Sequence, residues 1–320
     1  MWIFAQQEHG VLDKTVFELL AKAHELKETN HETVTAVLLG WQVSSLAEEL
    51  FEMGAEEVIL CEDPALENYS ARPYEKALTQ LAEKYKPTII LYGATPLGRD
   101  LAPRMMVSLN TGLTADAIDL LYDEAGDFCQ TTPGYGGKIL AHIAILKTLP
   151  QMATVHPGMF LPLERVPGKK GTLIAESVTV ERDADYEVLE ESAAEGADTA
   201  LDKASVVVAG GRGIKSEEDL DMLRELAGLL GGQIASSRPL VDNGWLPHDR
   251  QIGQSGVTVT PELMFNIGVS GSVQYQLGMQ KAKCIIAVNT DRDASIFDVA
   301  HYGIEDDYRK FVPALIAALK

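Results

Sequence analysis

The feature that most constrains this chain is a regular alternation, over its first ninety residues, of short apolar runs with amphipathic segments of helical length. The runs at 34–39, 58–60 and 88–92 read Val-Thr-Ala-Val-Leu-Leu, Val-Ile-Leu and Thr-Ile-Ile-Leu-Tyr, and amphipathic stretches at 45–53 and 74–85 separate them. Strands with no polar face must be covered on both sides, and helices inserted between them supply the cover. The expected class is α/β with a doubly wound parallel sheet. From about 139 to 190 the pattern turns strand-like, at 139–145 and 172–175, with turn signals at Pro150, Pro157 and Pro167-Gly168. The first domain is expected to close its sheet there.

At 320 residues the chain exceeds the size that a single core usually serves, so two domains are expected. Between Glu176 and Asp202 ten acidic residues face one cation, Arg182, with few large apolar groups, a composition that tends to stay solvated. The boundary is placed here, giving a domain over 1–190, an acidic linker over 191–203 and a domain over 204–320. A charged surface helix is the alternative reading of this stretch, and it would move the boundary without changing the number of domains. After Ser205 the pattern restarts with a buried strand at 206–209, the turn Gly210-Gly-Arg-Gly213, and a helix over 217–230 whose Leu220, Leu223, Leu226 and Leu230 share a face. Ser216 is the expected N-cap, and Glu217, Glu218 and Asp219 suit the positive end of the helix dipole.

The formal net charge of −20 argues against nucleic acid as a partner. Residues 1–200 hold 15 basic and 32 acidic groups and residues 201–320 hold 12 and 15, so nearly all the imbalance is N-terminal. An anionic cofactor is therefore easier to hold in the C-terminal part. No stretch approaches the roughly 20 consecutive apolar residues of a membrane-spanning helix, so no membrane insertion is expected. The opening residues Met1 to Gln6 show no basic segment before an apolar run, which implies no signal peptide and a cytoplasmic location. Cys61, Cys129 and Cys284 are too far apart in sequence for a Cys-x-x-Cys pair or a cluster site, and each is expected to be a buried, inert thiol. His142 and His156 have no neighbouring Cys or second His in sequence, so no metal site is expected.

Strand, Gly-Gly-Arg-Gly and helix is the layout of a dinucleotide site, where glycine lets backbone approach a pyrophosphate and the helix start offers free N–H groups. Gly211-x-Gly213-x-x-Ser216 lacks the third glycine of the Rossmann fingerprint, and glycine in such turns also serves simple packing. Four further segments are rich in glycine and small polar residues: Ala235-Ser-Ser-Arg-Pro239, Gln251-Ile-Gly-Gln-Ser-Gly256, Gly268-Val-Ser-Gly-Ser-Val-Gln274 and Ala287-Val-Asn-Thr-Asp291. With Val241-Asp-Asn-Gly-Trp-Leu-Pro247, Ile296-Phe297 and Tyr302-Gly303-Ile304, they closely resemble the FAD domain of electron-transfer flavoprotein alpha subunits (the FixB-like family) over roughly 203–320. Gly98-Arg-Asp-Leu-Ala-Pro-Arg104 and Thr111-Gly-Leu-Thr-Ala-Asp116 extend the resemblance into the first half.

The resemblance implies an N-terminal nucleotide-hydrolase-like (HUP-type) domain that contacts a beta subunit and a C-terminal Rossmann-like, DHS-like domain holding one FAD. Carried over position by position, it puts FAD at Arg212, Ser237, Arg238, Gln251, Ile252, Gly253, Gln254, Ser255, Gly256, Ser270, Gly271, Ser272, Val273, Gln274, Tyr275, Asn289, Asp307 and Tyr308. Arg238, Ser255 and Tyr275 would tune its potential. A guanidinium by the flavin favours the reduced, negative forms, by on the order of 4 kcal/mol at contact distance and intermediate dielectric. Ser255 replaces a common threonine and keeps a hydroxyl donor for flavin N5. Tyr275 stands where the family usually has histidine, so a hydrogen bond to the flavin carbonyl is retained but an imidazolium is not.

The implied function is one-electron transfer between dehydrogenases, with an acyl-CoA dehydrogenase-type flavoprotein as expected partner. The beta subunit would add AMP, or a second FAD in bifurcating members that use NADH and pass electrons to ferredoxin or flavodoxin. Two other readings stay open on the residues alone. One is a nucleotide-binding sensory or scaffold module without redox turnover; the other is a stand-alone NAD-dependent enzyme, which the incomplete fingerprint and the lack of an acid–base pair weaken. No catalytic residue is assigned, and the chain reads as a carrier subunit.

Overall fold

The computed structural model describes residues 1–134, 139–189 and 201–320. The chain divides into two compact units, Met1–Glu191 and Ser192–Lys320. Most of the expected linker, 191–200, lies outside the described residues; Leu201–Lys203 form a 3-10 turn with Leu201 buried.

The first unit opens with β1 (Trp2–Phe4), the small hairpin β2 (Gln7–Glu8) and β3 (Val11–Leu12), α1 (Lys14–Asn30), β4 (Thr35–Gly40), α2 (Leu46–Glu52) and β5 (Glu57–Glu62). It continues through α3 (Ala71–Tyr85), β6 (Ile89–Gly93), α4 (Pro96–Ser108), β7 (Leu113–Ala117), β8 (Asp119–Tyr122), β9 (Phe128–Gly134), β10 (Ile139–Ala144), β11 (Gln151–Val155) and β12 (Thr172–Glu176). Among the described residues, β12-β5-β4-β1-β6-β11-β7 form a parallel sheet in that order. One face packs on α1 and α2 through Leu19, Leu20 and Leu50, and the other on α3 and α4 through Leu78, Leu81 and Met105. Burial on both faces is why β4 and β6 read as unbroken apolar runs.

Residues 139–190 complete the main sheet through β11 and β12, but the strand expected at 139–145 is not part of it. β10 pairs antiparallel with β9, and β9 with β8, in a separate ribbon. β11 instead enters the main sheet between β6 and β7, and β12 caps the edge beside β5. The described part of the acidic stretch is mostly exposed, but it is anchored to the first unit. Val178 and Val180 pack on the α3 side of the sheet, Arg72 pairs with Asp183 and Asp185, and Lys84 pairs with Glu176.

The second unit is built from β13 (Val206–Gly210), α5 (Asp219–Leu229), β14 (Gln233–Ser236), α6 (Arg238–Asp242), β15 (Leu263–Ile267), α7 (Val273–Gln276), β16 (Cys284–Asn289), β17 (Tyr302–Glu305) and α8 (Tyr308–Leu319). Its described strands form one parallel sheet in the order β14-β13-β15-β16-β17. α5 and α8 cover one face, with Leu220, Leu223, Leu226, Val312 and Ile316 in the core. Short elements and loops cover the other, through Tyr275, Met279 and Ile296. The helix expected over 217–230 begins at Asp219, with Glu218 rather than Ser216 at the cap position. The last helix begins at Tyr308, after the strand at 302–305; Tyr308, Val312 and Ile316 form its buried face while Leu319 is exposed.

Candidate functional site

The chain runs from β13 outward to β14 and then returns across β13 to β15, so the loops leaving β13 and β15 diverge where the winding reverses. Open α/β sheets bind ligands outside the carboxyl ends of the strands at such a point. A cleft of about 650 Å³ lies there, within the size range of small-molecule and cofactor sites. Arg212, from the β13 loop, lines it, as do Ser237, Arg238 and Pro239, Gln251 to Ser255, Val269, Ser270 and Ser272, and Gln274 and Tyr275.

Two loops close on each other beside the cleft. A Cβ on Gly211 would fall 2.4 Å from the Gly268 carbonyl oxygen, and one on Gly213 would fall 2.7 Å from Gly268 Cα. The amides of Gly211 and Gly213 donate to Ile267 and Gly268. The glycines of the Gly-Gly-Arg-Gly turn therefore serve loop-on-loop packing in the first place, a different reason from the backbone approach to a pyrophosphate that their spacing suggested. The 251–256 loop is held by Ile252 N–H donating to Ser236 and Gln254 N–H donating to Gln274. Gly253 has φ +137, and its missing Cβ would stand 2.9 Å from the Gln274 carbonyl oxygen, so no other residue fits.

The polar groups of the cleft fit an anionic, hydrogen-bonding cofactor. Its lining holds two arginines and neither Asp nor Glu, in a chain whose net charge is −20. A second cleft of about 670 Å³, in the first unit by Gln6, Tyr69 and Leu97, is bordered by Glu8, Glu67 and Asp100 with no Lys or Arg. Phosphate would be repelled there and attracted at Arg212. Ser236, whose backbone bridges to that of the cleft residue Gln251, is buried, and its Oγ has no partner among the described residues. Ser255 is exposed, and its Oγ accepts from Gln251 Nε2 at 3.0 Å, which leaves its own hydrogen to donate.

Most residues carried over from the resemblance gather in this cleft, and Gly256, Gly271 and Val273 lie in the same loops just behind the lining. Gly271, at φ +80, lies against Ile296. Asn289, Asp307 and Tyr308 do not line it. Asn289 braces the β15 loop by donating to the Val269 carbonyl at 2.8 Å, Asp307 caps α8 by accepting from Arg309 N–H, and the Tyr308 hydroxyl donates to Asp219. Their side chains serve the loops around the cleft.

Two tuning residues also differ from expectation. The Tyr275 hydroxyl donates to Asn266 Oδ1 at 2.6 Å, behind the lining, so its hydrogen is committed inside the sheet. Burial pushes this phenol far above the ordinary tyrosine range. Arg238 is 70% exposed and pairs with Asp242 Oδ2 at 3.3 Å, one turn along α6. Pro239 and Val269 line the cleft without having been singled out, and Asn266 carried no signal, since its role depends on a partner across the sheet. Elsewhere, His156 is buried against Asp116 at 3.0 Å, His142 contacts the Thr131 hydroxyl, and Cys284 is only partly buried. Among the described residues no helix is long and apolar enough to cross a membrane.

Comparison with known proteins agrees with the geometry. Residues 1–185 match the family model described as electron transfer flavoprotein domain, and residues 200–280 match the electron transfer flavoprotein FAD-binding domain. The chain is 40% identical over its full length, and over 97% of the relative, to the electron transfer flavoprotein subunit alpha of Thermoanaerobacterium thermosaccharolyticum. It is 40% identical, over all of this chain and 96% of the other, to Protein FixB of Clostridium saccharobutylicum. It is also 38% identical, over 99% of this chain and 76% of the other, to the lactate dehydrogenase (NAD(+),ferredoxin) subunit LctC of Acetobacterium woodii. A parallel α/β unit matched over residues 1–185, a second unit whose cleft is cationic and matched to the FAD-binding model, and full-length relatives named as alpha subunits lead to one conclusion: this chain belongs to the electron transfer flavoprotein alpha-subunit family.

Proposed function

We propose that the second unit holds one FAD in the cleft between the β13 and β15 loops, and that the chain carries electrons between a dehydrogenase and a redox partner as one half of a heterodimer. FAD, when bound, supplies a redox centre that exchanges electrons one at a time. The chain's own residues bind and orient it. Arg212 would offset the pyrophosphate charge, and the Ser255 hydroxyl, held by Gln251 Nε2 at 3.0 Å, would donate to a ring acceptor. Tyr275 stays neutral and forms a wall. The observation that carries this reading is the cleft's charge: two arginines and no carboxylate in a strongly acidic chain.

The partner would be a beta subunit bringing AMP or a second FAD. The antiparallel ribbon of the first unit is its docking surface on this reading, because β10 and the segment after it leave Ile139, Leu140, Ile143, Leu146 and Leu149 exposed. Apolar side chains clustered in this way mark interaction surfaces. An acyl-CoA dehydrogenase-type flavoprotein is the dehydrogenase we propose. The LctC relative's name, which joins NAD(+) and ferredoxin, favours a second version in which NADH and a low-potential acceptor take part.

Flavin and AMP counted per heterodimer, after co-expression with the partner subunit, test both. One FAD and one AMP support the simple carrier. Two flavins reducible by NADH support the second version. A heterodimer without flavin overturns the proposal.

A further inference from the structure

The turn between β13 and α5 is tied down from outside by a side chain. Its first amides serve the loop crossing, with Gly211 and Gly213 donating to Ile267 and Gly268, and Ile214 closing back onto Gly211. The next amide, Lys215 N–H, donates to Tyr308 Oη at 3.2 Å, from a residue 93 positions away. The Tyr308 hydroxyl in turn donates to Asp219 Oδ2 at 2.6 Å. That carboxylate also accepts from the Ser216 amide and from Arg309 Nη2, the latter at 2.8 Å. One phenol and one carboxylate thus gather two consecutive amides of the turn, the start of α5 and the start of α8.

Packing does not account for the hydroxyl. The Tyr308 ring is 7% exposed among Leu220, Val312 and Ile316, a place a phenylalanine ring would fill equally well. What the hydroxyl adds is the bridge, and the bridge reaches the turn that carries Arg212. A turn held in one conformation before a ligand arrives loses less freedom when it binds.

We infer that the side chains of Tyr308 and Asp219 are positioning groups for the cofactor, acting through the 211–216 turn to hold Arg212 and the turn's backbone in place. The inference rests on the FAD reading above. It gives α8 a part in cofactor binding although its side chains lie outside the cleft.

The test is Tyr308→Phe in the full-length chain, purified with its partner subunit and stripped of flavin. FAD affinity is read from quenching of flavin fluorescence, amide exchange at Lys215 and Ser216 from the flavin-free protein, and the thermal midpoint from the same samples. The expected result is FAD affinity weaker by roughly 3- to 10-fold, the scale of one lost hydrogen bond. Exchange should be faster at Lys215 and Ser216 specifically, at a nearly unchanged midpoint. Asp219→Asn, which keeps an acceptor for the phenol but removes the charge facing Arg309, should weaken FAD by about half that effect on a logarithmic scale. It serves as the second variant if Tyr308→Phe does not fold. Unchanged FAD affinity in the variant that folds overturns the inference, as does a loss of affinity that only accompanies loss of protection throughout the unit. Wild-type protein that does not bind FAD overturns the cofactor reading itself, so the two failures are distinguishable.

Discussion

Tyr275 and Asn266 are joined by a 2.6 Å hydrogen bond from the phenol to the Asn266 side-chain oxygen, with both residues buried between the cleft and the sheet. The Asn266 Nδ2 points on to the Ile286 carbonyl at 3.5 Å, so the pair links a cleft wall to the next strand. Tyr275→Phe leaves the Asn266 oxygen buried without its donor. The expected cost is about 1–3 kcal/mol of unfolding free energy, read by urea denaturation of the second unit's transition. Because the phenol is already committed, the flavin potential should hardly move. A potential change of the size expected for a lost flavin hydrogen bond, without loss of stability, would show that the hydroxyl faces the cofactor.

Arg238 gives a smaller effect than its position in sequence suggests. At contact distance with intermediate dielectric the attraction to a reduced flavin would be on the order of 4 kcal/mol. The side chain is 70% exposed and shares its charge with Asp242, and exposed pairs of this kind are worth about 0–1 kcal/mol. Arg238→Ala should therefore lower the flavin potential by less than roughly 45 mV, at about 59 mV per 1.4 kcal/mol for one electron. The shift should shrink further in high salt. Stepwise anaerobic reduction at two salt concentrations checks both expectations, and a shift above 100 mV would mean that Arg238 leaves Asp242 and is desolvated against the ring.

Gly211→Ala should do far more damage than any single polar change. The added carbon would sit 2.4 Å from both the Gly268 oxygen and Val269 Cα, all backbone atoms that cannot swing aside. The two loops must part, and the cleft loses the edge formed by Arg212 and Val269. Flavin content of the purified variant should fall at least tenfold, while the first unit still melts near its wild-type temperature in calorimetry. A flavin-replete Gly211→Ala protein would show that the loop crossing is not needed.

Glu52 supplies a pH test in the first unit. Its carboxylate is 7% exposed, accepts from the Gly168 amide at 2.7 Å, and pairs with Arg165 at 2.5 Å. The Gly168 hydrogen bond, followed by Arg165, holds its pKa below the ordinary carboxylate value. A group depressed on folding stabilises above its unfolded pKa and loses that contribution as pH falls through the folded one. Wild type should therefore be more stable than Glu52→Gln at pH 7, and the two denaturation midpoints should converge as pH falls through the depressed folded pKa, below the ordinary carboxylate value. Midpoints that stay equally separated at low pH would mean that shape, not charge, makes the difference.

The fold was legible where burial on both faces leaves unbroken apolar runs, as at β4, β6 and β13. β11 was not recognised because Gln151 to Val155 is short and sits between Pro150 and Pro157, whose turn signals masked a strand buried on both faces. β7 is interrupted by Asp116 at φ +56, where the pairing register shifts, and such a strand shows no clean alternation. The anchoring of the acidic stretch was not legible, because charge was counted without the cations of α3, Arg72 and Lys84, that pair with it. In the cleft, glycine-rich loops announced themselves, since close approach of backbone demands glycine. The directions of Tyr275, Asn289 and Tyr308 were hidden, because each is set by a partner distant in sequence: Asn266, the Val269 carbonyl and Asp219.

The place of β11 has a consequence for how the chain is made. Among the described residues β7 joins the parallel sheet through β11 alone, which is synthesised after the whole β8–β10 ribbon. On the ribosome, β1, β4, β5 and β6 can assemble as soon as they emerge, but β6 then offers an open edge and β7 has no strand of the parallel sheet to pair with until residue 155 is free. During that interval the nascent chain carries both an unpaired strand edge and the apolar side chains of β10, the kind of surface on which half-made proteins stick to one another. A stop codon placed before residue 151 should therefore yield aggregate, and one placed after β12 a soluble first unit.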